Sequence, residues 1–394
     1  MPETFYHGVE VIELDEGPRP IRTVRSAVIG LVGTAPEADE SAFPLDTPVL
    51  IAGSRTEAAK LGGAGTLPPA IDGIFDQAGA MVVVVRVAEK KDENEQLAEI
   101  IGGVQEDGRR TGLYALLDAQ NKVHLKPKIL IAPGFIHKQA VAQELAGIAD
   151  KLRAICVCDG PNTTDEDAIS YRTNFGSARV YIVDPWVRVF NTFTAKEETA
   201  PPSSRVAGLI ARVDQERGFW WSPSNNIING IIGTARGIDF QMGDPNCRAN
   251  FLNEHEVSTI IHELGFRLWG NRTASADPKF AFLCVRRTAD MIEESLLYAH
   301  LWAVDRAISR NYVDSVLEGV KAYLRHLQAV GAIIGGNVWF DPELNTKDQL
   351  AAGKIYFDFD FTPPPPAEHL VFRAHLVDTY LQNLANDIAA KYGK

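Results

Sequence analysis

Cysteine is scarce in this chain: four residues in 394, at Cys156, Cys158, Cys247 and Cys284. So low a count excludes a disulfide framework as the basis of the fold. Cys156 and Cys158 flank Val157 in an apolar run, where free cysteine serves as a small hydrophobe. Read as pointing to opposite faces of a strand, the pair is not expected to chelate one metal, and no metal site or cofactor is expected elsewhere. No apolar run approaches the roughly 20 residues of a membrane span, so direct membrane insertion is not expected. Residues 1–17 lack a basic stretch followed by an apolar one, so no secretory signal is expected and assembly belongs in a cytoplasm. Excess positive charge is missing too. With 51 acids against 39 Lys plus Arg, the net charge is −12. That excludes a general nucleic-acid coat, which needs a basic face.

Catalytic signatures are also incomplete. His262-Glu263 resembles the start of a zinc metalloprotease helix, but the second imidazole must fall four residues after the first, and position 266 is Phe. His255-Glu256 meets Thr259 in the same way. Both pairs read as polar residues on an amphipathic helix whose inward face is Val257, Ile260, Ile261 and Leu264. Gly30-Leu31-Val32-Gly33-Thr34 lacks the lysine that would reach a phosphate. It reads as close packing after a buried strand. Ala132-Pro133-Gly134 and Asp159-Gly160-Pro161-Asn162 follow expected strands, where α/β enzymes keep their sites, yet their residues are those of ordinary turns. There is no Gly-x-Ser-x-Gly elbow. No catalytic residues are assigned.

At 394 residues the chain is too long for one simple core, and its 45% hydrophobic content is that of a globular protein of two or three domains. Residues 1–16 carry five acids and no Lys or Arg. Val9, Val11, Ile12 and Leu14 alternate with a one-residue slip, the pattern of a strand with a bulge, before Gly17, Pro18 and Pro20 break it. Buried strands are expected at Val28–Val32, Val49–Ile51, Met81–Val87, Ile129–Ala132, Ile155–Cys158 and Val180–Val183. Val141, Leu145, Ile148 and Leu152 mark one face of a helix between two of them. Strand and helix in alternation predict an α/β sheet with helices on its faces.

The second region is α+β. Ile292, Leu296, Ala299 and Ala303 predict one long helix. Val313, Val316, Leu317, Val320, Leu324 and Leu327 predict another, over about 312–330 and ended by Gly331. Ile355, Phe357, Phe359 and Phe361 then alternate with Tyr356, Asp358 and Asp360, the cleanest strand in the sequence. Pro363–Pro366 is semi-rigid and carries the chain away. Beyond it Leu370, Phe372, Ala374 and Leu376 alternate again, and a short helix follows through Leu381, Leu384 and Ile388.

Several longer runs are distinctive in order and spacing. They are Gly218-Phe219-Trp220-Trp221-Ser222-Pro223-Ser224-Asn225, Ile228-Asn229-Gly230-Ile231-Ile232-Gly233, Gly265-Phe266-Arg267-Leu268-Trp269-Gly270-Asn271-Arg272-Thr273, and Trp302-Ala303-Val304-Asp305. Leu350–Tyr356, Phe361–Pro366, His7-Gly8-Val9 and Thr111-Gly112-Leu113 extend the pattern. Over nearly its whole length the chain resembles the tail sheath family of contractile-tailed phages, in particular its P2-like phage and R-type pyocin branch.

The resemblance implies an N-terminal arm (1–25), an outer α/β region (26–276) with a subtilisin-like part at about 111–276, an inner C-terminal domain (277–366) and a C-terminal arm (367–394). Subtilisin-like there describes shape alone. It implies a structural subunit that forms a helical homo-oligomer of sixfold rings around a tail tube protein, between baseplate and tail terminator proteins. The particle would assemble in the host bacterial cytoplasm. It implies further that both arms join a neighbour's sheet, with Ile355, Phe357, Phe359 and Phe361 as the acceptor strand. Arg306, Arg310, Lys321 and Arg325 are the basic residues expected to meet an acidic tube. The competing reading, a hydrolase on a subtilisin-like scaffold, requires a clustered nucleophile, base and acid. A third is a generic self-assembling shell.

Overall fold

The computed structural model describes residues 20–191 and 195–393. Val9, Val11, Ile12 and Leu14 of the expected N-terminal arm lie outside the described residues.

One sheet of eight strands organises the first two thirds of the chain. Its members are β1 (Val28–Thr34), β2 (Val49–Ala52), β3 (Met81–Val87), β4 (Ile129–Ile131), β5 (Ile155–Asp159), β6 (Val180–Val183), β7 (Val257–His262) and β8 (Phe266–Trp269). Their order is β8-β7-β6-β5-β4-β1-β3-β2. The six central strands are parallel, and the outermost strand on each side runs antiparallel. Residues 28–87 and 129–269 therefore share one sheet.

The strands read as continuous apolar runs because both faces are covered. Ile29, Leu31, Ile129, Ile131, Ile155 and Val157 meet α1 (Leu67–Phe75) and α3 (Ser203–Glu216) in one core. Val32, Val85, Leu130, Cys156, Cys158 and Ile182 meet α2 (Gln139–Leu152) in another. The glycines of β1 serve this packing. A Cβ on Gly30 would lie 2.9 Å from Leu130 and Pro127, and one on Gly33 would lie 2.4 Å from Thr66 Oγ1. The phosphate-loop resemblance dissolves into close packing.

Two expectations are corrected here. Residues 257–262 form the internal strand β7, not a helix. Val257, Ser258, Thr259, Ile260 and Ile261 are all buried, so the segment is covered on both faces and has no amphipathic period. Its spacing matched a helix face by coincidence, while its β-branched residues favour a strand. Leu264, assigned to the inward face, is 84% exposed in the turn to β8, with φ +52°. The cysteine geometry is also reversed. Residues two apart on a strand share a face, and the Cys156 and Cys158 sulfurs lie 3.4 Å apart, both buried.

The remaining chain builds a third core. Helix α4 (Leu283–Ala299) ends earlier than expected, at a break capped by His300, so Ala303 falls in a separate short turn. Helix α5 (Arg310–Ala329) packs Val320, Tyr323, Leu324 and Leu327 against Met291 and Ile292 of α4. A two-stranded antiparallel ladder, β9 (Gly335–Phe340) with β10 (Phe357–Thr362), closes this core with Val338, Phe359 and Phe361. The incoming chain joins it as well, since Ile21 and Val24 pack there and Thr23 Oγ1 lies 3.0 Å from the Tyr323 hydroxyl.

Candidate assembly interface

The strand expected at 355–361 is present, with a shifted start. Ile355 lies outside it, and β10 begins at Phe357. The reason is Asn345, whose side chain occupies the backbone of the preceding residue. Its Oδ1 accepts from the Tyr356 amide and its Nδ2 donates to the Tyr356 carbonyl, both at 2.8 Å. Phe357, Phe359 and Phe361 share one face and are half-buried, with the last two rings stacked at 5.9 Å. Among the described residues β9 and β10 pair only with each other, which leaves an unpaired edge on each. Open edges of this kind are templates for another strand.

Beyond Thr362 the proline segment leads to a clamp. Arg272 donates from Nε and Nη2 to the two Glu368 carboxylate oxygens, at 2.8 and 2.6 Å. After the clamp no described residue is buried. Leu370 is 65% exposed, Phe372 92% and Leu376 104%, and Ala374 is exposed too. No strand forms over 367–377. Helix α6 (Thr379–Tyr392) follows where Leu381, Leu384 and Ile388 predict it, with no buried residue. A lone helix of that length is marginal in water, and its apolar stripe points to a surface outside this subunit.

The four basic residues expected at the tube are not one cluster. Arg306 precedes α5 and its Nε donates to the Trp302 carbonyl at 3.3 Å. At about 100° per residue, Arg310, Lys321 and Arg325 fall within an arc of about 60° on the exposed side of α5. Asp314 and Glu318 lie in or beside that arc, and Lys321 reaches Glu318 at 3.4 Å. The face is a mixed stripe with a small positive excess.

Sequence reasoning missed the charges inside the molecule. Arg287, Asp290 and Glu294 stand at spacings of three and four on α4, and each is at most 3% exposed. Arg287 forms a two-pronged pair with Asp214 of α3, at 2.7 and 2.5 Å. Asp290 accepts from Arg179, at the foot of β6, and from Arg286. Glu294 takes Lys126 at 3.2 Å and the buried Lys128, just before β4. Burial pushes the Lys128 ammonium down to about 8, opposed by Glu294. Helix α4 thus joins the sheet and the third core through buried ion pairs. The spacing of three charges at 287, 290 and 294 was the available signal.

The carboxyl ends of the sheet strands hold further buried polar groups, Asp159 and Asp184 among them. Asp159 accepts from both the amide and the hydroxyl of Ser203, at 2.7 and 2.8 Å. The serine hydroxyl is thereby tied to a carboxylate, not to an imidazole. Burial raises the Asp159 carboxyl to about 7, against hydrogen bonds from Ser203 that lower it, with Asp184 adding to the rise. The fold therefore favours protonated Asp159. An unfolded aspartate has released its proton above about 4, so this group's contribution is full below that and is lost as pH rises through 7. Asp159→Asn should remove that fall, leaving the variant more stable than the wild type at pH 8 and no more stable at pH 5. Urea midpoints at the two pH values measure it, and parallel pH dependences would refute the assignment.

Comparison with known proteins follows the same architecture. Residues 26–87 match the model of the tail sheath protein Gp18 domain III N-terminal region. Residues 108–274 match the phage tail sheath protein central domain, and 275–376 the phage tail sheath C-terminal domain. A prophage major tail sheath protein of Pseudomonas aeruginosa strain UCBPP-PA14 is 45% identical over 96% of this chain and 98% of its own length. The tail sheath protein of Escherichia phage P2 is 38% identical, over 98% of each. Among solved structures, the helical sheath of the anti-feeding prophage in its contracted state aligns with a TM-score of 0.72 at 22% identity. That alignment covers 93% of this chain and 98% of the other. The sheath complex of the extracellular contractile injection system PVC, also contracted, aligns at 0.67 and 17% identity, over 96% of this chain and all of the other. Nothing in these relatives supports the hydrolase reading.

Proposed function

The chain belongs to the phage tail sheath family and is a structural subunit of a contractile tail sheath; from that premise we propose how its residues perform the task. Subunits polymerise helically, in rings of six, around a tail tube protein between baseplate and terminator proteins, after synthesis in the bacterial host. The extended lattice is a stored metastable state, and release shifts it cooperatively to a second packing that drives the tube through the target envelope. No cofactor takes part.

The observation that carries this reading is the C-terminal segment from Leu370 to Tyr392, in which no residue is buried and the alternating and helical apolar side chains stay exposed in their own subunit. Bodies that rotate while staying joined need a joint that survives rotation. A strand donated through the Pro363–Pro366 linker to the open edge of a neighbour's β9–β10 ladder supplies one. Each ladder bond contributes about 0.5–1.5 kcal/mol net, so a handful holds firmly. In this reading Val9, Val11, Ile12 and Leu14 form the second donated strand. On the same reading, the domain limits fall near 25, 276 and 366, and the joints lie at the inner domain. The positive excess of Arg310, Lys321 and Arg325, with Arg306, meets the tube.

Negative-stain microscopy of the chain, alone and with its tube protein, tests this beside a variant lacking residues 1–16. Intact chain should form striated hollow tubes and the truncation should not. Polymers surviving truncation would remove the N-terminal strand from the mechanism. Dispersed particles alone, under conditions where the tube protein assembles, would overturn polymerisation through donated strands. Tube-guided assembly unaffected by charge reversal at Lys321 and Arg325 would remove the basic stripe.

A further inference from the structure

A groove of about 990 Å³ lies between the segment 212–229 and the proline linker. Trp220, Trp221 and Pro364–Pro366 form apolar walls, and the charged groups lining it are Arg212, Arg217, Arg267 and Glu216. Gly218 makes the groove possible. Its φ is +112°, and a Cβ there would lie 2.3 Å from the Trp220 ring. Two of the arginines brace the walls: Arg212 donates to the Ile227 carbonyl at 2.5 Å and Arg267 to the Asn225 carbonyl at 2.9 Å. Arg217 instead lies over the Trp221 ring, 5.4 Å from its centroid, with its charge presented to the groove.

Three positive groups against one negative, beside the half-buried Trp220 and the exposed Trp221, suit an acidic, aromatic peptide. The chain contains one. Residues 1–16 hold Glu3, Glu10, Glu13, Asp15 and Glu16, no Lys or Arg, and also Phe5 and Tyr6. Their point of departure is favourable. Ile21 and Val24 pack on the same core that Phe219 and Trp220 seal. The 19 residues before the described chain, at about 3.3 Å each, span up to about 60 Å.

We propose that in the free subunit this groove holds the chain's own acidic N-terminal segment. Tethering makes the contact intramolecular, so weak pairing suffices to populate it. The consequence for assembly rests on the donated-arm reading of residues 1–16: a strand held in its own groove cannot pair with a neighbour, which protects the subunit from premature edge-to-edge association. The contact itself does not depend on that reading.

Hydrogen exchange on the full chain, at concentrations where it is monomeric, tests the proposal. Backbone amides of residues 1–16 should exchange about tenfold more slowly than an unstructured peptide, and 0.5 M salt should weaken that protection. Arg217→Glu should remove most of it, and adding Glu10→Lys with Glu13→Lys should restore it. Arg217→Ala, which only deletes charge, gives a smaller loss and serves if the reversal misfolds. Unstructured exchange rates in the wild type, or protection indifferent to Arg217, would overturn the proposal. Protection that grows with protein concentration would assign the groove to a second copy and equally overturn it. If residues 1–16 are protected yet dispensable for polymers, the arm reading fails alone. If they are essential yet unprotected, the groove contact fails alone.

Discussion

Deleting residues 369–394 should leave a folded monomer that no longer polymerises. The segment has almost nothing to lose within its own subunit, because Leu370, Phe372, Leu376 and every residue of α6 are exposed. Its unfolding midpoint should therefore stay within a degree or two of the intact chain. Glu368 is retained, so the clamp to Arg272 persists. In the lattice the same side chains would be buried, at about 1.5–3 kcal/mol for each large apolar group. Three such groups with several ladder bonds amount to many powers of ten in association, so the expected outcome by microscopy and sedimentation is complete loss of tubes. Phe372→Asp should go most of the way alone, since it places a charge where an apolar ring is to be covered. Tubes of normal length from the deleted chain would show that the C-terminal segment is not a joint.

Asp214→Ala should destabilise the subunit by about 3–5 kcal/mol, the usual cost of breaking a buried ion pair from one side. Arg287 is 3% exposed and would keep its charge; among the described residues its remaining hydrogen bond goes to the Ser26 carbonyl at 3.3 Å. Replacing both partners, Asp214→Leu with Arg287→Met, should recover most of the loss, because the cost lies in the stranded charge. Urea unfolding of the two variants beside the wild type measures the difference. A single variant within about 1 kcal/mol of wild type would mean that water reaches the seam. The pair matters for motion as well as stability. With Arg179–Asp290 and Lys128–Glu294 it ties α4 to the sheet and to α3, and α4 in turn packs in the core that carries β9 and β10.

The sequence by itself determined the elements and the family. Six strands of the main sheet were legible as short apolar runs, and α2, α5 and α6 as helical stripes, because burial on one or both faces imposes a local pattern. The runs around Trp220, Trp269 and Trp302 carried the resemblance to tail sheaths. Only tertiary structure decided what depends on coverage from elsewhere in the chain. Val257–Ile261 became a strand because neighbours bury both of its faces, which erases the two-residue alternation that marks a half-exposed strand. The start of β10 at Phe357 was set by Asn345, eleven residues upstream of the Tyr356 backbone it occupies. The ion pairs of α4 join residues up to 168 positions apart, and no local period encodes a partner at that distance. The assembly surfaces divide in the same way. Alternation marked Leu370–Leu376 as a strand pattern, but that these side chains stay exposed and form no strand in their own subunit follows from the folded body, which does not bury them.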